Sequence, residues 1–209
     1  MKLTTKEKKE LLQYLKAELL KEQREDTVVF FETVGDIKMP EYAKRGDAGM
    51  DVCSTADVTI LPGETKIIPT GIKMALPEGY ELQIRPRSGI SSRTQLRIAN
   101  SPATIDSGYR DEIGVIVSNN SQKQYRIETR TDDTNREKSY LVEDDYDTYS
   151  IDTRGNKNGI YNIRKGDRIA QLVLAQYKVM KLVKVPSVSV IGYNRHGGFG
   201  SSDIEMLNK

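Results

Sequence analysis

The chain has 209 residues, of which 37% are hydrophobic and 30% charged, with a formal net charge of +2. That is long enough to bury a core, and the near balance of charge gives no electrostatic case for direct nucleic-acid binding. No apolar run approaches the roughly 18 residues of a membrane span, no apolar signal core follows the charged start, and the one cysteine, Cys53, excludes an intrachain disulfide. The expectation is a cytoplasmic protein with no membrane attachment, and with Cys53 packed rather than reactive.

Residues 1–26 read as an N-terminal amphipathic helix. Thr4 and Glu7 have the spacing of a capping box, and Leu11, Leu12, Leu15 and Leu19 fall on one helical face. From residue 27 the period changes to that of strands. Short runs at Val28–Thr33, Val58–Leu61, Thr65–Pro69, Ile72–Leu76, Tyr80–Ile84, Glu112–Val117, Ile169–Leu174 and Val179–Val185 are separated by turn signals such as Pro62-Gly63 and Lys165-Gly166-Asp167. Many short strands at this spacing predict an all-β barrel, sandwich or jelly roll over residues 27–190. Residues 119–159, rich in Asp, Glu, Thr, Asn and Tyr, interrupt that rhythm and read as an insertion, with Tyr125, Ile127, Tyr140, Leu141 and Val142 placed to form a small hairpin. Residues 191–209 form a glycine-rich C-terminal arm.

Five short segments carry residues suited to chemistry. Asp47-Ala48-Gly49-Met50-Asp51 alone is no more than a turn with carboxylates. Arg85-Pro86-Arg87-Ser88-Gly89 sets a guanidinium and a hydroxyl beside a glycine that lets backbone approach closely, a combination suited to phosphate oxygens. It is equally a strand-to-helix turn with a surface ion pair. Asn100-Ser101-Pro102-Ala103-Thr104-Ile105-Asp106-Ser107-Gly108-Tyr109-Arg110 crowds a carboxylate, a glycine and a tyrosine into a hairpin. Such an Asp can orient and deprotonate a water, or simply form the turn. Gly166-Asp167-Arg168-Ile169-Ala170-Gln171-Leu172 feeds a buried strand in which Gln171 is the polar exception and must find partners. Arg195-His196-Gly197-Gly198-Phe199-Gly200-Ser201-Ser202 frees backbone amides to surround phosphate, or is a flexible terminus. With one histidine and one cysteine, the sequence holds no His/Cys cluster of the kind that builds a structural zinc site, and none is expected.

Together and in this order, the five segments resemble the five motifs of the trimeric dUTPase family, over roughly residues 28–118 and 159–203. The resemblance implies a distorted jelly-roll (β-clip) subunit, a homotrimer with active sites shared among its chains, and hydrolysis of dUTP to dUMP and pyrophosphate with Mg2+ as cofactor. It implies Asp106 as the general base on the attacking water and Tyr109 as the ring packed on deoxyribose. Asn100, Thr104 and Ile105 would read uracil. Arg87, Ser88, Gly89 and Gln171 would hold the phosphates, and Asp51 would position magnesium through water. Arg195, Phe199, Gly200 and Ser201 would close over the substrate. Ala103 and Asp111 stand where the family often has glycine, which puts the shape of the uracil pocket in question. Two alternatives remain. One is a dCTP deaminase of the same fold. The other follows from phage-encoded dUTPases that carry an insertion near this point and bind repressor proteins, making residues 119–159 a surface for a protein partner.

Overall fold

The computed structural model describes residues 27–131 and 137–193, together with Lys9 and Gln13. The predicted N-terminal helix therefore lies outside the described residues, apart from Lys9 and Gln13, both helical and exposed. The chain divides into two units, Met1–Tyr177 and Lys178–Lys209.

From residue 27 on, the regular structure described in the first unit is almost wholly strand: β1 (Phe30–Thr33), β2 (Met50–Cys53), β3 (Val58–Ile60), β4 (Thr65–Pro69), β5 (Ile72–Ala75), β6 (Tyr80–Pro86), β7 (Leu96–Ile98), β8 (Ala103–Ile105), β9 (Gly114–Asn119), β10 (Tyr125–Thr131), β11 (Glu137–Glu143), β12 (Thr148–Ser150), β13 (Ile160–Ile163) and β14 (Arg168–Gln176). One short helix, α1 (Ser88–Arg93), follows β6. The all-β expectation holds. The strands form a four-stranded sheet in the order β2-β14-β6-β8, three-stranded sheets β4-β9-β7 and β12-β13-β3, and the pairs β1-β5 and β10-β11. Early strands pair with late ones, β2 with β14 and β3 with β13, so the ladders are fixed by long-range contacts rather than by hairpins alone.

The sequence encodes this through alternation. In β9, Val115 and Val117 turn inward while Ile116 and Ser118 lie between them on the other face. In β6, Leu82 and Ile84 are buried, and the intervening Glu81, Gln83 and Arg85 stand on the outer face. One continuous core results, in which Val52, Leu82, Ile84, Ala170 and Leu172 of the four-stranded sheet join Ile68, Leu96, Val115 and Val117 of β4-β9-β7 and Ile60, Tyr161 and Ile163 of β3 and β13. Inside it, Asn119 is buried at the end of β9 and its amide nitrogen donates to the carbonyls of Ile60 (3.0 Å) and Gly159 (2.8 Å), while its side-chain oxygen accepts from Ser121 N–H (3.0 Å).

The stretch 119–159 is not all alike. Its centre is a two-stranded ribbon of β10 and β11. Its flanks are core: Asn119, Ser121, Ile151 and Gly159 are buried, and β12 pairs in parallel with β13. Asp144 N–H donates to Gln124 C=O at 2.8 Å and closes the base of the ribbon.

Residues 179–185, expected as a strand, are not one. Val179, Met180, Leu182 and Val183 there are exposed, and no strand of this chain pairs with them among the described residues. A run rich in β-formers supplies a strand's composition, but the ladder needs a neighbour.

Asn119→Ala is expected to lower unfolding free energy by about 1–3 kcal/mol, because the buried backbone groups it serves lose their partners. Urea denaturation measures this, and an unchanged midpoint would show that the three bonds do not anchor the strand.

Candidate active site

The site is assembled by the four-stranded sheet. Gln171 of β14 lies directly opposite Asp51 of β2 on one side and opposite Arg85 of β6 on the other. Residues facing each other across an antiparallel ladder share a sheet face, so carboxylate, amide and guanidinium form a row across three strands on the outer face. Gly49, just before β2, fits against this row closely: a Cβ there would stand 3.2 Å from Val173 Cγ2 and 3.3 Å from Gln171 Cβ.

β6 ends at Pro86, and the chain enters α1 through Arg87, whose backbone is extended. This turn sends the Arg87 side chain back to Asp51. Arg87 Nε donates to Asp51 Oδ1 at 2.9 Å, one of its terminal nitrogens to Oδ2 at 3.4 Å, and the other to the Arg168 carbonyl at 3.2 Å. Arg168, at the start of β14, adds a second guanidinium on Asp51 Oδ2 at 3.3 Å. The side chains of Asp51 and Arg87 are 19% and 21% exposed, so this pair is held in reduced dielectric and its geometry is defined. Arg85 is oriented in turn by Gln83, whose Oε1 accepts from Arg85 Nε (2.9 Å) and a terminal nitrogen (2.6 Å). Three guanidinium groups against one carboxylate leave a net positive, preorganised face suited to phosphate oxygens. Ser88 is exposed at the first position of α1, next to Arg87.

A second group lies elsewhere on the same sheet. β8 pairs with β6 so that Thr104 faces Gln83 and Ile105 faces Leu82. Asp106 leaves the end of this ladder and is exposed, as are Asn100 before β8 and Thr104 within it. The loop after Asp106 is tight: Tyr109 N–H donates to Asp106 C=O at 3.0 Å, the Tyr109 hydroxyl to Glu112 C=O at 2.9 Å, and Arg110 to the carbonyls of Ser107 and Tyr109. Neither Ala103 nor Asp111 is strained. Among the described residues the non-glycine with positive φ is Asn156, and Ala103 sits buried in β8 opposite Ile84.

The structure thus brings together Asp51, Arg87, Ser88 and Gln171, and separately Asn100, Thr104, Ile105, Asp106 and Tyr109. It does not join the two groups within one chain. Asp106 follows Ile105, which faces Leu82, so Asp106 projects towards Glu81. From Glu81 to Arg87 is about 20 Å along the strand at about 3.3 Å per residue. Arg195, Phe199, Gly200 and Ser201 lie outside the described residues. Sequence reading gave no role to Arg168 or Arg85, although both stand in the quoted segments. The signal was available only as register, since it is the pairing of β14 with β2 and β6 that brings Arg168 to Asp51 and sets Arg85 opposite Gln171.

Cys53, at the end of β2, has its thiol pKa raised chiefly by burial, with the nearby cations of Lys38 and Arg168 acting in the opposite sense. It is therefore a weak nucleophile. Among the described residues, no group of three or more His, Cys, Asp or Glu side chains gathers as a metal site. The one carboxylate in the row across the three strands, Asp51, has guanidinium partners on both oxygens.

A family model described as dUTPase matches residues 35–132. The deoxyuridine 5'-triphosphate nucleotidohydrolase of Leifsonia xyli subsp. xyli is 38% identical over 167 residues, covering 79% of this chain and 85% of that protein. The chain belongs to the dUTPase family. The dUTPase of Clostridium tetani is 50% identical over 93 residues, which are 44% of this chain and 64% of that protein. In that match the chain spans just under two thirds of its relative's length. Among solved structures, the dUTPase of Staphylococcus bacteriophage 80alpha with dUPNHPP superimposes with a TM-score of 0.66 at 29% identity, covering 84% of this chain and 98% of that one. A mutant dUTPase from phage phi11 of S. aureus, which coordinates a structural Mg(II) ion, superimposes with a TM-score of 0.60 at 26% identity over 77% of this chain and 97% of that one. The family therefore includes phage relatives that share most of this fold. No helix among the described residues is long and apolar enough to cross a membrane.

Proposed function

We propose that this chain is a dUTP diphosphatase that hydrolyses dUTP to dUMP and pyrophosphate. The observation that carries this reading is the Asp51–Gln171–Arg85 row with Arg87 and Arg168 drawn onto Asp51, in a chain of the dUTPase family. Arg87, Ser88 and Gln171 hold the phosphate chain, and Gly89 lets the backbone of α1 approach it. Asn100 and the backbone at Thr104 and Ile105 read uracil, and the Tyr109 ring packs against deoxyribose. Asp106 accepts the proton of a water as its oxygen bonds to the α-phosphorus. The bond from that phosphorus to the β-phosphate's bridging oxygen breaks, and pyrophosphate leaves. Arg195, Phe199, Gly200 and Ser201, which the family resemblance assigns to closing over the substrate, lie outside the described residues.

Magnesium fits as an ion carried in on the triphosphate. When bound, it would supply positive charge to offset that of the leaving pyrophosphate. Asp51, with its oxygens already facing arginines, suits a role at one remove through the ion's water shell rather than as a direct ligand. The separation of Asp106 from Arg87 supports a shared site. The carboxylate that activates water must reach the α-phosphorus while the guanidinium holds neighbouring phosphates, and one chain offers these groups at distant ends of β6. A homotrimer in which each site takes the phosphate row from one copy and the Asp106 loop from another satisfies both demands.

Purified protein with magnesium is expected to release pyrophosphate from dUTP in preference to dTTP, dCTP and UTP. Asp106→Asn is expected to reduce turnover by about 10²–10⁴-fold. Unchanged turnover would remove Asp106 from the role, and ammonia release from dCTP would replace the hydrolase by a deaminase.

We infer in addition that the ribbon docks a protein partner. In it, Ile127 faces Leu141 across the ladder, and these side chains are 72% and 70% exposed. The opposite face carries the ion pairs Arg126–Asp144 and Arg130–Glu128, each at 2.8 Å. An apolar pair beside a charged face on a protruding ribbon suits an interface better than a free surface. Deleting residues 125–143 with a short glycine link is expected to keep dUTP hydrolysis and abolish capture of a partner by the full chain. Undiminished capture would overturn this role.

A further inference from the structure

The loop that carries Asp106 and Tyr109 is fastened at both ends. On the entering side the fastening is the β8–β6 ladder, which ends at Ile105 opposite Leu82. On the leaving side, Ile113 N–H donates to Ile72 C=O at 2.8 Å and the buried Thr70 hydroxyl donates to Ile113 C=O at 2.6 Å. Between these, one side chain ties the loop to the turn between β4 and β5. Glu112 Oε1 accepts the N–H of Gly71 at 2.7 Å.

Gly71 is no ordinary partner. Its φ is +70°, and a Cβ there would lie 2.6 Å from Ile37 Cγ2 and 3.0 Å from Val34 O. Its own carbonyl accepts Val34 N–H at 2.7 Å. The amide offered to Glu112 is therefore fixed in direction by a turn that only glycine fills. The other end of the same residue holds the tyrosine, because the Tyr109 hydroxyl donates to the Glu112 carbonyl at 2.9 Å. Tyr109 N–H in turn donates to the Asp106 carbonyl. A short relay thus runs from a rigid glycine turn through Glu112 to the ring and to the aspartate.

We propose that Glu112 is a positioning residue that sets the Tyr109 ring and the Asp106 carboxylate by anchoring their loop to Gly71. It touches no substrate. The proposal rests on the hydrolase reading, in which Asp106 takes the proton from water and Tyr109 packs on the sugar. Loss of the anchor leaves both residues present but misplaced, and misplacement of a reacting group is costly.

The test compares Glu112→Ala, Glu112→Gln and Glu112→Asp in the full chain, with dUTP and UTP as substrates. Gln keeps a side-chain acceptor at the same reach, whereas Asp keeps the charge but falls one methylene short. Glu112→Ala and Glu112→Asp are expected to lower kcat by up to about 10²-fold and to reduce the preference for dUTP over UTP. Glu112→Gln is expected to stay near the unaltered protein in both. The Gly71 amide should exchange with deuterium faster in the Ala and Asp variants only. If folded Glu112→Ala keeps kcat and sugar preference, the proposal is overturned. If Glu112→Ala does not fold, Asp and Gln decide, and equal behaviour of those two overturns it. Absence of dUTP hydrolysis by the unaltered protein is a distinct result, since it removes the hydrolase reading on which the proposal stands.

Discussion

The ladder that seats β14 between β2 and β6 is the constraint on which the candidate site depends. It joins the start, middle and end of the described first unit, and it does so in a register that leaves no freedom: seven residues of β14, Ala170 to Gln176, face Pro86 to Tyr80 of β6. A slip of one residue would turn Gln171 into the core and Leu172 out to solvent. The burial of Leu172, Ala170, Ile84 and Val52 on the inner face therefore holds Gln171, Arg85 and Asp51 in line on the outer one. Hydrophobic burial sets the positions of the polar residues, and the same atoms cannot be moved without exposing the core.

On that frame the electrostatics are local. Asp51 holds Arg87 and Arg168, and Gln83 holds Arg85, so the cations are oriented before any phosphate arrives. Donors fixed in this way need little reorganisation when charge develops, which is how a surface of arginines differs from a catalytic one. Asp51 stands at the centre of this arrangement. Its carboxylate is the partner that the guanidiniums share, and its removal would leave like charges close together without a counterion.

The sequence announces much of this and hides the rest for definable reasons. Seven of the eight strands expected from short β-rich runs form at or near the expected places; six of them place side chains in the core, and β1, exposed throughout, pairs with β5. The eighth, Val179–Val185, carries the same pattern and pairs with no other strand of the described chain. Short strands such as β7 and β8 are missed because three residues show no period. The five chemical segments are visible as strings, but the separation of the Asp51–Arg87–Gln171 group from the Asp106–Tyr109 group is a property of register. So are the parts played by Arg168, which aims at Asp51 only once β14 is paired, and by Glu112, whose partner is a glycine amide on another turn. The stretch 119–159 looks uniform by composition. Its buried Asn119, Ser121 and Ile151 show that only the central ribbon stands apart from the core.

In the proposed hydrolase, a working site takes its phosphate row and its Asp106 loop from different copies of this chain. The most direct measurement mixes two inactive variants, Arg87→Ala and Asp106→Asn, denatures them together and refolds them. If sites are shared, roughly a quarter of those in randomly mixed assemblies combine an intact row with an intact loop, so dUTP hydrolysis reappears at about that fraction. Mixtures that stay as inactive as the separate variants would contradict the shared site and require both groups to act within one chain.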